Sequence, residues 1–232
     1  MDRFIFIHKD CEVPEGYTVI DNRESPLDHR LWSEIAGYKL LFDKLTTERN
    51  ADGMLKWSDT DWISLNHYRR TFDKDLCNRT VVPAPYSLPE PLFAQYSRFH
   101  NLDDLKTSGI ALKAKYPHLV QQYEATLNGN ILIPYTIGIM SVGTFKDYFT
   151  FLYNVLAETL SIMKISNYDE MLEHVKNSSQ YIGEGKDQRP EYQARVLSFL
   201  AERLGTAYWL FATRQIPVFP GKINLLEEGQ KI

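Results

Sequence analysis

SDTDWISLNHYRRTF, residues 58–72, is the stretch on which the reading of the fold turns. Trp62 to Leu65 is a short apolar run preceded by the polar turn Asp59-Thr60-Asp61, so DWISLN, 61–66, reads as a buried strand. It ends abruptly in His67-Tyr68-Arg69-Arg70. A chain of formal net charge −4 has here put a histidine and two arginines at the end of a buried strand. Arginine presents a planar fork that pairs bidentately with phosphate or carboxylate, and histidine donates to phosphate or moves a proton. The run therefore reads as an anion site, with phosphate the first choice, against the plainer alternative of two solvated arginines in a surface turn. Successive side chains on a regular strand point to opposite sides. One arginine is thus expected in a cleft and the other against a nearby acid.

Working outward, RFIFIH, 3–8, is a second short apolar run and reads as a first strand ending at His8-Lys9; Tyr17 to Ile20 is another. Ser25-Pro26-Leu27-Asp28 carries the marks of a helix start. Leu31, Ile35, Tyr38, Phe42 and Leu45 then fall on one helical stripe, with Glu34 near its edge. Residues 49–53 form a polar turn. Four prolines in VVPAPYSLPEP predict an extended loop over 80–91, long enough to be functional. Leu102 to Leu127 is helical with a break at Tyr116-Pro117, and 131–140 is one or two strands bent at Pro134. Residues 144–163 are a strong helix capped by Thr144. Residues 177–189 read as a polar loop, 190–214 as the last long helix, and 216–220 as a short strand. Strands alternating with helices predict an α/β layered fold with a largely parallel sheet. Such sheets gather ligands at the carboxyl ends of their strands, so His8-Lys9 and His67–Arg70 are expected to share one basic mouth.

Composition narrows the function. The chain has 232 residues, 44% of them hydrophobic, enough to bury a core. The acidic balance argues against a general basic field for nucleic acid. Cys11 and Cys77 make neither a disulfide framework nor a metal site and are expected as free thiols in a reducing cytosol. The apolar run near the N-terminus is too short for a signal peptide, and no stretch reaches the roughly 18 apolar residues of a membrane span. The expectation is a soluble cytoplasmic protein, able to work peripherally at the inner membrane.

Two further constellations carry chemistry. Asp59-Thr60-Asp61 has a spacing of carboxylates suited to Mg or Mn, although it precedes its strand, and a solvated turn competes with that reading. On the last helix, Arg195 and Glu202 stand seven residues apart with Ser198 between them, on one stripe among apolar neighbours. Charges so placed need partners. They read either as a structural ion pair with Arg203 or as a cleft-facing acid beside a phosphate-binding arginine. His29, His100, His118 and His174 are expected to be structural or at the surface. No phosphate-binding glycine loop, nucleophile elbow or clustered metal-ligand motif is present in the sequence.

Together these motifs resemble a family of bacterial capsular and exopolysaccharide biosynthesis glycosyltransferases. The resemblance rests on Ile7-His8-Lys9, on Glu34 with Gly37 and Tyr38, and on His-Tyr-Arg-Arg-x-Phe at 67–72. HNLDDL with Lys115-Tyr116-Pro117, the segment IGIMSVGTFKDYFTFL, and YQARVLSFLAERL with its Glu-Arg-Leu signature extend it along nearly the whole chain. Thr71 departs from the pattern, where an aromatic is common. The resemblance implies one GT-A-like, Rossmann-related domain over 1–232, its mixed and largely parallel sheet flanked by helices, with helical acceptor-side elements within 101–189. It implies transfer of a sugar from a nucleoside-diphosphate sugar to an acceptor hydroxyl. His67, Tyr68, Arg69 and Arg70 would meet the donor diphosphate. His8 and Lys9 would lie near the nucleotide, and Arg195, Glu202 and Arg203 would line the other side. Glu202 is the first candidate base, with Glu34 and Asp61 as alternatives. The family offers no firm match for Asp59 and Asp61, which leaves Mn or Mg open. The default acceptor is a glycan or lipid-linked glycan of a surface polysaccharide. The competing readings are a phage-type transferase acting on hydroxymethylated cytosine in DNA and a non-catalytic sugar- or nucleotide-binding module.

Overall fold

The computed structural model describes residues 1–73, 76, 78–178 and 189–226. Cys77 and most of the polar loop expected over 177–189 lie outside them. The first strand, β1 (Asp2–Ile7), takes β2 (Thr18–Asp21) on one edge and β3 (Trp62–His67) on the other, both parallel to it. Its run Phe4–Ile7 is buried throughout, as befits a strand covered on both faces. After β3 come the short strands β4 (Arg70–Phe72), β5 (Thr80–Pro83) and β6 (Tyr86–Ser87). Later in the chain come β7 (Ile131–Leu132), β8 (Gly138–Ser141), β9 (Val218–Gly221) and β10 (Ile223–Leu225). The main sheet runs β2-β1-β3-β8-β5-β9, with β4 and β10 extending from the end of β3. Antiparallel pairing at β3–β8, β8–β5, β3–β4 and β4–β10 sets β8 and β4 against the other six strands. The sheet is thus mixed but mostly of one direction, and β6 and β7 form a separate two-stranded ribbon.

The helices are α1 (His29–Trp32), α2 (Glu34–Thr47), α3 (Leu92–Phe99), α4 (Leu102–Lys115), α5 (Val120–Asn128), α6 (Val142–Met163), α7 (Tyr168–Lys176), α8 (Pro190–Gln193) and α9 (Val196–Ala212). The large core lies between one face of the sheet (Phe4, Phe6, Ile63, Leu65) and the apolar stripes of α2, α6 and α9. Phe145, Leu152 and Leu156 of α6 are fully buried, each stabilising the fold by about 1.5–3 kcal/mol through loss of apolar surface to water. The other face carries a small cluster of Phe72, Val81, Ile137 and Ile139. Among the described residues no helix is long and apolar enough to cross a membrane.

Several local expectations change. The stripe from Leu31 to Leu45 is not one helix. It breaks at Ser33, whose φ of 49° lies in the left-handed region, and the helix starts at Asp28, which accepts from Arg30 N at 2.9 Å, rather than at Ser25. Ser25 is still used, its hydroxyl donating to the Ala36 carbonyl at 2.8 Å. The proline-rich loop over 80–91 contains β5, because Thr80–Pro83 finds a parallel partner in β9 that local composition cannot reveal. The α6 cap is Ser141, accepting from Thr144 N at 3.1 Å, three residues before the expected one ends its turn. The last long helix is interrupted at Arg195, so α9 begins at Val196.

Candidate active-site cleft

Three parallel strands deliver their carboxyl ends to one edge of the sheet: β1 leads into His8, β2 into Asn22, and β3 into the hairpin His67–Arg70. Facing them are the N-terminus of α2, with Glu34, and the N-terminus of α9, with Arg195, Ser198 and Glu202. Between them lies an open cleft of about 560 Å³. His8, Glu34, His67, Arg69, Arg70, Arg195, Glu202 and Arg203 all border it.

Both arginines of the hairpin border this cleft, contrary to the expectation that one would turn away to an acid. The reason is geometric. His67 pairs with Arg70 across a two-residue turn, so Arg69 sits in the turn and Arg70 on the returning strand, and strand alternation no longer separates them. Arg69 is exposed with its guanidinium 5.1 Å from the Tyr68 ring centroid. Arg70 lies 4.0 Å over the ring of Tyr135, and its buried Nε has no hydrogen-bond partner among the described residues. Tyr68 is buried against His8 and His67 rather than bordering the cleft, and Lys9 sits over its ring at 5.3 Å.

The acids have separate environments. Glu34 Oε1 is 3.7 Å from Arg195 Nη2, and Glu34 Oε2 accepts from Ser198 Oγ at 3.1 Å. Burial pushes the Glu34 carboxyl up, but Arg195, His67, a backbone N–H and Ser198 outweigh it, and the group stays below the ordinary carboxylate value. Glu202 accepts from Tyr135 N at 3.0 Å and from Arg203 Nη1 at 3.1 Å. There burial wins over both donors, and the carboxyl is raised. The partner of Arg195 is therefore Glu34 of α2, and the ion pair expected within the last helix is that of Glu202 with Arg203. Arg203 is 2% exposed and also donates to the Phe199 carbonyl at 3.0 Å and to Gln95 Oε1 at 2.6 Å; its guanidinium serves the wall of the cleft. His67 Nδ1 accepts from Arg69 N at 3.3 Å, which puts the imidazole proton on Nε2. Burial brings its pKa down to about 3, against the opposing pull of Glu34, so it is neutral near pH 7. Burial lowers His8 as well.

Asp59 and Asp61 are not brought to the cleft. They precede β3, at the far end of a strand whose five steps span about 17 Å. Asp59 accepts from Lys146 Nζ at 2.7 Å and Asp61 from Ser58 N at 2.7 Å, while their carbonyls receive Gly143 N and Val142 N at the start of α6. They join β3 to α6, which corrects their assignment as candidate base and metal ligands of this cleft. Among the described residues no group of three His, Cys, Asp or Glu side chains is placed to hold a metal ion.

The cleft also has residues that sequence reasoning passed over. His100, expected as structural or at the surface, stacks on Phe199 with centroids 3.9 Å apart, and burial lowers it to about 4. Tyr192 and Tyr168 also line the cleft, and Tyr192 opens the YQARVLSFLAERL segment. His29 borders the cleft too, while His174 instead pairs with buried Asp104 at 2.8 Å. Gly37 has a clear role: one turn beyond Glu34, a Cβ there would collide with Asn22 Oδ1 and stand 2.6 Å from the Phe6 ring. The absence of a side chain lets α2 press its N-terminus against the ends of β1 and β2.

The chain shares its fold with a bifunctional glycosyltransferase. The apo structure of WbbM superposes with a TM-score of 0.70 at 12% sequence identity, covering 97% of this chain and 45% of that one. The chain thus spans less than half the length of that protein. A family model described as "Domain of unknown function (DUF4422)" matches residues 76–185, which excludes both the hairpin arginines and α9. Comparison with curated proteins gives no match.

Proposed function

We propose that the chain is a nucleotide-sugar-dependent glycosyltransferase of GT-A-like architecture, acting on a hydroxyl of a glycan or lipid-linked glycan acceptor. One observation carries the reading: Arg69, Arg70 and Arg195, from two distant parts of the chain, meet two carboxylates of opposite tuning in one cleft at the carboxyl edge of the sheet. The fold shared with a glycosyltransferase supports it.

In the proposed reaction the acceptor oxygen attacks the anomeric carbon of the donor. Its proton passes to Glu202, and the bond from the anomeric carbon to the diphosphate oxygen breaks. The electron pair leaves with the nucleoside diphosphate, whose growing charge falls to Arg69, Arg70 and Arg195. Glu202 suits the base role because burial raises its proton affinity. Glu34, held low by Arg195, suits the positioning of that arginine. Neutral His67, with its proton on Nε2, is a hydrogen-bond donor to a phosphate oxygen. Tyr168, Tyr192 and Phe199, with Glu191, border the cleft and suit a pyranose, which presents an apolar ring face and hydroxyl edges. Asp59 and Asp61 do not fit a metal bridging the diphosphate here, and no step is routed through one. The test is release of nucleoside diphosphate from a panel of UDP-, GDP-, ADP- and TDP-sugars. Wild type should turn over one donor class. Glu202→Gln should lose turnover while still binding that donor, and turnover equal to wild type would remove Glu202 from the base role.

A further inference from the structure

The segment between β7 and β8 contains one of the four described non-glycine residues with positive φ: Tyr135, at 61°. A bulky side chain there is strained, and such strain persists where the surroundings over-determine it. Three ties hold this segment. Ile133 N donates to Thr206 Oγ1 at 3.1 Å, Tyr135 N donates to Glu202 Oε1 at 3.0 Å, and the Tyr38 hydroxyl donates to the Thr136 carbonyl. Thr206 and Tyr38 stand one turn along their helices from Glu202 and Glu34. The strained residue is therefore gripped by the same two helices that carry the acids of the cleft. Its ring meanwhile lies 4.0 Å beneath the guanidinium of Arg70.

We propose that Tyr135 is a positioning residue that sets Arg70 and Glu202 in register, its ring carrying the guanidinium and its strained backbone presenting an N–H to the carboxylate. The proposal rests on the transferase reading for its purpose, but its geometry stands apart from it. The ring holds the cation that would meet the leaving diphosphate, and the N–H holds the group that would take the acceptor proton. The missing partner of Arg70 Nε leaves the aromatic face as its principal constraint. The hydroxyl lies beside the Tyr86 phenol, which it raises.

The experiment compares Tyr135→Phe, Tyr135→Leu, Tyr135→Gly and Tyr135→Val, alone and with Arg70→Ala, by calorimetric titration with inorganic pyrophosphate. Carbon-13 NMR titration of the Glu202 carboxyl is run without ligand. Phe keeps the ring, and affinity should stay within about twofold. Leu removes the face and should weaken pyrophosphate by about fivefold to thirtyfold, the range of a cation–π contact. That loss should vanish when Arg70 is already alanine, because the effect passes through that side chain. Glycine adopts a φ of 61° without strain, so its N–H should stay on the Glu202 carboxylate and leave that titration in place, whereas valine disfavours this conformation and should withdraw the N–H and move the titration up by about one unit. Equal losses for Leu with and without Arg70 would overturn the ring's role, and a Glu202 titration in the Val variant equal to that in the Gly variant would overturn the backbone's. If wild type fails to bind pyrophosphate while Glu202 shifts as expected, the positioning geometry survives and the transferase reading fails.

Discussion

Replacing Arg195 by alanine separates binding from folding most cleanly. Arg195 stands at the N-cap position of α9, with a 3.7 Å approach to Glu34, a 3.5 Å contact to Ser198 Oγ, and a side chain 39% exposed. Exposed pairs of this kind contribute about 0.2–1 kcal/mol, so the melting temperature should fall by no more than about 4 °C for a chain of this size. Against a diphosphate the same guanidinium would form charge-assisted hydrogen bonds of about 1.5–3 kcal/mol, which is about 10- to 150-fold in dissociation constant. The lower half of that range is expected, because the arginine already spends part of its field on Glu34. Loss could also arise indirectly, through a Glu34 carboxylate left to repel the ligand. The double variant Glu34→Gln/Arg195→Ala distinguishes the two: direct contact keeps it weak, and repulsion alone restores it. The assay is calorimetric titration with nucleoside diphosphates, with melting curves alongside. Affinity within twofold of wild type, or a melting temperature lowered by much more than 4 °C, would refute the assignment.

Other positions test the same frame. Arg203→Ala should cost about 1–3 kcal/mol of stability, since it removes the buried guanidinium from which Glu202, Gln95 and the Phe199 carbonyl accept; a stable variant with lost binding would reassign it to the ligand. Gly37→Ala gains helix propensity yet should destabilise by about 1–3 kcal/mol through collision with Asn22 and Phe6, read by urea denaturation. The Asp104–His174 pair gives a pH signature. The hydrogen bond to Asp104 raises His174 above its ordinary value, so its contribution is complete below about pH 6.5 and is lost as pH rises through the folded value. Burial raises Asp104 as well, which acts in the same direction. Wild type should therefore lose more stability than His174→Gln from about pH 6 to about pH 8.

Much of this architecture was legible because local pattern and tertiary role agree. Buried runs such as Phe4–Ile7 and Ile63–Leu65 and the stripe of α6 announce themselves through period and apolarity. Cations at the ends of two such runs announce a shared edge once the strands are parallel. What stayed hidden depends on partners far along the chain. β5 exists because β9 lies beside it, α2 meets Asn22 through Gly37, and Arg195 found Glu34 from 161 positions away. The spacing of Asp59 and Asp61 was visible, but spacing alone does not say at which end of a strand a pair will stand.

The central claim is that this cleft binds the diphosphate of a nucleotide sugar. It is tested most directly by titrating the whole protein with UDP, GDP, CDP and TDP and their sugars, each with and without Mn²⁺, beside the triple variant Arg69→Ala/Arg70→Ala/Arg195→Ala. The account predicts saturable binding of one nucleoside diphosphate, displaced by pyrophosphate and absent in the folded triple variant. Binding that persists in that variant, or wild type that binds none of the panel, would contradict it.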